Sequence, residues 1–147
     1  MAEGATVGVM KLTPQQVELI RSTFARLEPK SGVAALAFFQ RLFALDPRLR
    51  ALISGDIDAE AEQLMTLLRA ATTLADQPRA LQAKFARDGS RLFHPSAGQE
   101  NRAVVGEALL WSLGTTLGRE FTTEARVAWA ALVAAATENE EGKRASR

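Results

Sequence analysis

The sequence predicts an all-α domain, and three observations carry the prediction. Residues that lose little on entering a helix dominate the chain, chiefly Ala, Leu, Arg, Glu and Gln. No segment shows the apolar–polar alternation of a half-buried strand, and tyrosine is absent. Several segments place apolar residues at helical spacing between proline and glycine stops. A chain of 147 residues is large enough for one core and small for two.

The elements follow in order. Residues 1–11 read as a loose lead-in, residues 12–139 as the folded domain and residues 140–147 as a charged, flexible tail. "LTPQQVELIRSTFARLEP" opens with Thr13 as N-cap and Pro14 at the first helical position, then places Val17, Ile20, Phe24 and Leu27 on one stripe before Pro29 ends it. "SGVAALAFFQRLFALDPRLRALI" reads as a helix capped by Ser31, with a turn at Asp46-Pro47, and Gly55 marks the next break. "AEAEQLMTLLRAATTLAD" puts Leu64, Leu67, Leu68, Ala71 and Leu74 on one face. "QPRALQAKFARDGSRLF" starts near Pro78 and stops by Pro95, and "PSAGQE" reads as a loop. "NRAVVGEALLWSLGTTLG" and "TTEARVAWAALVAAATEN" are two long helices joined by "GREFT", the second capped by Thr122 or Thr123 with Glu124 in its first turn. The core is expected to draw on Phe24, Phe39, Phe43, Leu64, Leu68, Leu109 and Trp129. The remaining aromatics, Phe38, Phe85, Phe93, Phe121 and Trp111, are also expected inside it.

Composition narrows function. A net charge of +1 gives no electrostatic reason to expect nucleic acid or an anionic membrane. There is no cysteine, hence no disulfide framework, thiol nucleophile or thiolate metal site. One histidine, His94, and no cysteine leave no Cys/His catalytic pair or zinc site. The start of the chain does not resemble a secretory signal, and no stretch approaches the roughly 20 apolar residues of a membrane helix. A cytoplasmic, non-enzymatic protein is expected. Asp56, Asp58, Glu60 and Glu62 crowd one short stretch, but a calcium loop counted from Asp56 meets Ala61 and Leu67 where it needs glycine and glutamate. That run reads as a solvated turn and helix start.

Three segments resemble a known family. "LTPQQVELIRSTFARL", "FFQRLFALDPRLRALI" and, most specifically, "VGEALLWSLGTTLGREFTTEARVAWAALV" are similar to the first, second and last two helices of single-domain bacterial globins of the flavohaemoglobin and neuroglobin kind. The likeness runs from about Leu12 to Asn139. It implies a three-over-three helical sandwich of about seven helices around a haem pocket.

Carried over position by position, the resemblance departs from the family at the haem. The family's iron-ligating histidine stands fourteen residues before the glycine of a "VGEALL" stretch, which here is Leu92 before Gly106. Counting forward from Leu64-Met65, Asp76-Gln77-Pro78 and Gly89 reaches Leu92 as well. The porphyrin-stacking phenylalanine falls on Ile53 and the distal ligand-facing residue on Glu60, while the aromatic on the second helix survives as Phe39. Leucine offers iron no lone pair, isoleucine no flat ring, and a glutamate facing a dry pocket needs a partner or a raised pKa. The alternative is that a two-residue deletion in the following loop brings His94 to the iron of a haem b, lined by Phe39, Ile53, Glu60, Leu64 and Leu92. Against this, a helix turns about 100° per residue, so His94 points about 160° from Leu92 in the same register, and Pro95 ends the helix.

Three functions follow from the resemblance. The main reading is a globin fold without cofactor or metal that acts through protein contacts as a sensory, regulatory or scaffolding module, as haem-less members of the family do. It implies a homodimer through the last two helices, Val105–Gly118 and Glu124–Ala136, with an unidentified protein partner and neither nucleic acid nor membrane. The alternatives are a haem globin binding or sensing oxygen or another diatomic gas through His94, and a carrier of another apolar ligand in the vacated pocket.

Overall fold

A computed structural model describes residues 12–53, 56–88 and 99–137. Six α-helices and three short 3-10 stretches make up the described residues, with no strand among them: α1 (Pro14–Leu27), α2 (Ser31–Leu45), α3 (Ile57–Thr73), α4 (Pro78–Asp88), α5 (Gln99–Leu117) and α6 (Thr123–Ala136). The 3-10 stretches are Glu28–Lys30, Pro47–Leu52 and Gly118–Glu120. The all-α expectation holds.

Local chemistry sets the boundaries. Thr13 and Gln16 form a reciprocal capping box: the Gln16 N–H donates to Thr13 Oγ1 at 3.1 Å and the Thr13 N–H to Gln16 Oε1 at 3.0 Å. Asp56 caps α3, its Oδ1 accepting from the N–H groups of Asp58 and Ala59, so the acidic run serves the start of a helix. Thr122, not Thr123, caps α6 by accepting from the Ala125 N–H at 3.1 Å. Ser31 is not the cap of α2. The chain passes from α1 through Glu28–Lys30 with helical dihedrals at Glu28 and Ser31, and an N-cap needs an extended residue. The last helix but one begins at Gln99, two residues earlier than its sequence pattern, so Gln99 and Glu100 are helical, and the rest of "PSAGQE" lies outside the described residues. Gly55, the lead-in 1–11 and the tail 140–147 lie outside the described residues.

The helices form two layers of three. In one, α1 packs on α3 and α3 on α4; in the other, α2 packs on α5 and α5 on α6; α1–α6, α4–α6, α2–α3 and α1–α5 contacts close the sandwich. This is the expected three-over-three arrangement. Six of the seven residues expected to build the core are buried, and Phe43 packs partly buried against it. Trp129, Phe38, Ile20, Leu81 and Leu113 are fully enclosed. Trp111 departs from the expectation: it is 38% exposed, because it sits on the outer side of α5, and the Arg41 guanidinium covers it with its carbon 5.3 Å from the ring centroid. Phe93 lies outside the described residues.

Two devices tie neighbouring helices within each layer. Arg21 of α1 reaches the open C-terminus of α3, donating from Nε to Thr72 O and from Nη2 to Thr73 O, both at 3.0 Å. It thereby satisfies carbonyls that the helix itself cannot. Gly118 turns the chain from α5 to α6 at φ +60°, in the left-handed region that costs a residue with a Cβ about 1–2 kcal/mol. Gly118→Ala should therefore lower unfolding free energy by about 1–2 kcal/mol without changing helix content. Urea unfolding followed by circular dichroism measures this, and an unchanged midpoint would contradict the strained-turn account.

Candidate functional site

The site begins at the corner between α2 and α3. Asp46 leaves α2 in an extended conformation, and its carboxylate caps the following 3-10 turn. Its Oδ1 accepts from Arg48 N at 3.1 Å and Arg48 Nε at 3.0 Å, while Oδ2 accepts from Arg48 Nη2 at 2.9 Å. These hydrogen bonds, the Arg48 side chain first, hold the Asp46 carboxyl below its ordinary pKa against the opposing effect of desolvation. The turn ends at Ile53, whose N–H donates to Arg50 O at 3.1 Å and whose side chain packs partly buried against the core.

Phe39 and Leu64 face the same core from α2 and α3, at 4% and 5% exposure. The Phe39 ring meets Phe38 edge-on at 5.0 Å and stacks on Phe43 at 6.1 Å. Arg50 then lies over Phe43, 4.8 Å from its centroid, so the aromatic row runs from the core to a surface cation. Glu60 stands one turn before Leu64 on the same side of α3 and is half-buried. Phe39 and Leu64 thus belong to the hydrophobic core, Ile53 packs against it, and Glu60 stands beside Leu64 on α3. Leu92 and His94 lie outside the described residues.

None of the cluster's described side chains is an imidazole, thiolate or phenolate. Globin iron is held by an imidazole. The chain has no cysteine or tyrosine, and its single histidine is outside the described residues. Around the apolar residues stand the Glu60 carboxylate and, at the corner, the Asp46 carboxylate already engaged by Arg48. No group of three histidine, cysteine or acidic side chains that could hold a metal ion occurs among the described residues.

Sequence reasoning missed three features. The Arg50–Phe43 contact joins two elements, and the Arg41–Trp111 contact joins two helices; only the packing of α2 on α5 brings the second pair together. An open groove of about 410 Å³ also lies between α3 and α4, lined by Ala59, Glu62, Gln63, Thr66, Leu67 and Lys84. Its exposed polar lining sets it apart from the Phe39–Leu64 cluster. No helix among the described residues is long and apolar enough to cross a membrane.

No protein-family model matches the chain. It is 29% identical over 133 residues to neuroglobin of Danio rerio and 28% identical over 133 residues to neuroglobin-2 of Oncorhynchus mykiss; each match covers 81% of this chain and 84% of the relative. It is also 28% identical over 125 residues to the flavohemoprotein of Deinococcus radiodurans, covering 82% of this chain but only 30% of that protein. With the helical architecture, these similarities make the chain globin-like.

The Asp46–Arg48 contacts generate a pH prediction. The folded-state pKa of Asp46 is lowered, so its stabilising contribution is present above the unfolded value, near 4, and is lost as pH falls through the folded one. Between neutral pH and about pH 3 the wild type should lose more urea stability than Asp46→Asn, which has no carboxylate to protonate. Parallel pH profiles for the two proteins would refute this role.

Proposed function

From a globin-like chain, we propose a globin-fold binding module, without haem, that works through contacts with protein rather than as an enzyme. The observation that supports this reading most is chemical. Phe39 and Leu64 lie in the hydrophobic core with Ile53 packed against it, and the sequence register assigns Leu92 to the position that would hold iron. A leucine there extends an apolar wall and gives a metal nothing to bind. A cytoplasmic setting and a sensory, regulatory or scaffolding role belong to the same proposal.

The proposed contact surface is the exposed side of the last two helices. Val127 is 55% exposed and Trp111 38% exposed, and the small residues Ala130 and Ala134 beside Val127 on α6 are also exposed. Small side chains let another helix approach closely. A homodimer through α5 and α6 is the simplest assembly of this kind.

The similarity to neuroglobin and flavohemoprotein keeps a second reading open, in which a haem b is held by His94 and binds a diatomic gas. Haemin titration of the purified apo-protein separates the two. The module reading expects no sharp Soret band at one equivalent in the wild type, none in His94→Ala, and a gain of one in Leu92→His. A sharp band in the wild type, abolished by His94→Ala, would establish the haem reading instead. A saturable response to an apolar dye, with no Soret band, would support a carrier of some other apolar ligand.

A further inference from the structure

The groove between α3 and α4 gathers polar side chains that the fold itself leaves unused. Ala59, Glu62, Gln63 and Thr66 recur at helical spacing, so they share one face of α3. Glu62, Gln63 and Thr66 are exposed, and none of the three has a side-chain hydrogen bond or ion pair among the described residues. Leu67 closes the floor and is buried. Lys84 of α4 forms the other wall and is half-buried. The space of about 410 Å³ falls within the range of small-ligand sites, about 300–1,000 Å³.

The order of charges along the groove selects a ligand. The turn after α3 leads α4 back along it, and Lys84 lies about as far past that turn as Leu67 lies before it. Glu62 stands five residues before Leu67, about 7 Å along the helix axis. The groove is therefore anionic toward the start of α3 and cationic farther along, with the neutral Gln63 amide and Thr66 hydroxyl between. A simple anion meets Glu62 there and a simple cation meets Lys84, so each is opposed by one wall. A zwitterion is opposed by neither. An α-amino acid holds its ammonium and carboxylate about 3 Å apart, and a hydrogen bond of about 2.9 Å at each end lets it bridge groups about 8–9 Å apart. The flexible Glu62 and Lys84 side chains reach that separation from their axial offset. Lys84 already has a partner in the fold, and its ammonium has three donors, so a ligand carboxylate joins that contact without displacing it.

We propose that the α3–α4 groove is a binding site for a free aliphatic α-amino acid. Its ammonium sits against the Glu62 carboxylate, its carboxylate against Lys84 and the Thr66 hydroxyl, and its side chain on Leu67 and Ala59, the apolar part of the lining. The groove is open and its charges are partly hydrated, so each ion pair adds at most about fivefold to the affinity. The dissociation constant is then about 1 mM, the range of a ligand sensed at metabolite concentrations. The site lies apart from the core around Phe39 and Leu64, so it does not depend on whether the chain takes haem. It gives the protein a small-molecule input in addition to any protein contact.

Titration of the full chain with L-leucine, followed by amide NMR shifts, tests this, with circular dichroism to confirm each variant's fold. The wild type should show saturable shifts on α3 and α4 with half-saturation at about 1 mM. N-acetyl-leucine lacks the cation and leucine methyl ester lacks the anion, and each should bind about fivefold more weakly. Glu62→Gln should bind leucine no better than N-acetyl-leucine while still discriminating against the ester. Lys84→Met should show the reverse. That crossed pattern assigns each charge to its own wall, which a general disturbance of the fold would not reproduce. If either variant fails to fold, the three ligands on the wild type still decide. No saturable shift up to about 20 mM, shifts centred away from α3 and α4, capped forms that bind as tightly as leucine, or folded variants that keep both discriminations would each overturn the proposal. The haemin titration reads a different site, so any of these results leaves the haem-free reading standing.

Discussion

The close packing of α2 on α5 is the constraint on which the rest of the molecule depends. It is the largest helix–helix contact among the described residues. Small residues are buried on both helices, Ala34, Ala35 and Ala37 on α2 and Ala108 on α5. Side chains of that size let two helices approach closely, while Phe38, Leu42, Leu109 and Leu113 fill the space around the crossing. Once this pair is fixed, α6 is placed by the short Gly118 turn, and Phe39 is aimed at the cluster it shares with α3. Replacing one of these alanines with a larger residue would be an overpacking change with no loose neighbour to absorb it.

The same contact explains which parts of the fold were legible in the sequence. The stripe Val17, Ile20, Phe24 and Leu27 on α1 is buried as its spacing implied, since α1 shows one side to the core and the other to water. Pro14, Thr13 and Thr122 act locally, so their roles could be read from neighbouring residues alone. α5 resisted the same treatment. It packs against α1, α2 and α6, and apolar residues occur around much of its circumference. Periodicity then cannot say which apolar residue remains outside, and Trp111 was misplaced for that reason. Ser31 failed differently. Its residue type suits a cap, but the preceding proline turn keeps the backbone helical, and dihedrals outrank composition at such a junction.

At the site, legibility followed the reach of each interaction. Phe39, Ile53 and Leu64 were identified from positions in single segments, and all three belong to or pack against one cluster. The Asp46 cap and its Arg48 partner are two residues apart, yet their joint effect depends on the extended Asp46 backbone that aims both carboxylate oxygens at Arg48, which spacing alone does not encode. Arg41 and Trp111 are far apart in sequence and meet only through packing. No local pattern of charges or aromatics would have paired them.

The two sides of the α2–α5–α6 layer show how one fold divides inward and outward chemistry. Inward, the layer presents hydrocarbon: Phe39 and its neighbours form a surface that another aliphatic residue joins at no electrostatic cost, whereas a buried charge there would need a partner. Outward, the same layer carries Arg41, Glu107 and Trp111, groups that keep much of their hydration and can still bind by exchanging it for a partner. A pocket for a metal cofactor requires polar ligands on the inward side, where desolvation makes each one expensive unless the metal compensates. On the proposed reading, recognition belongs to the exposed face, where polar groups are cheap to display and an exposed tryptophan offers apolar area to bury.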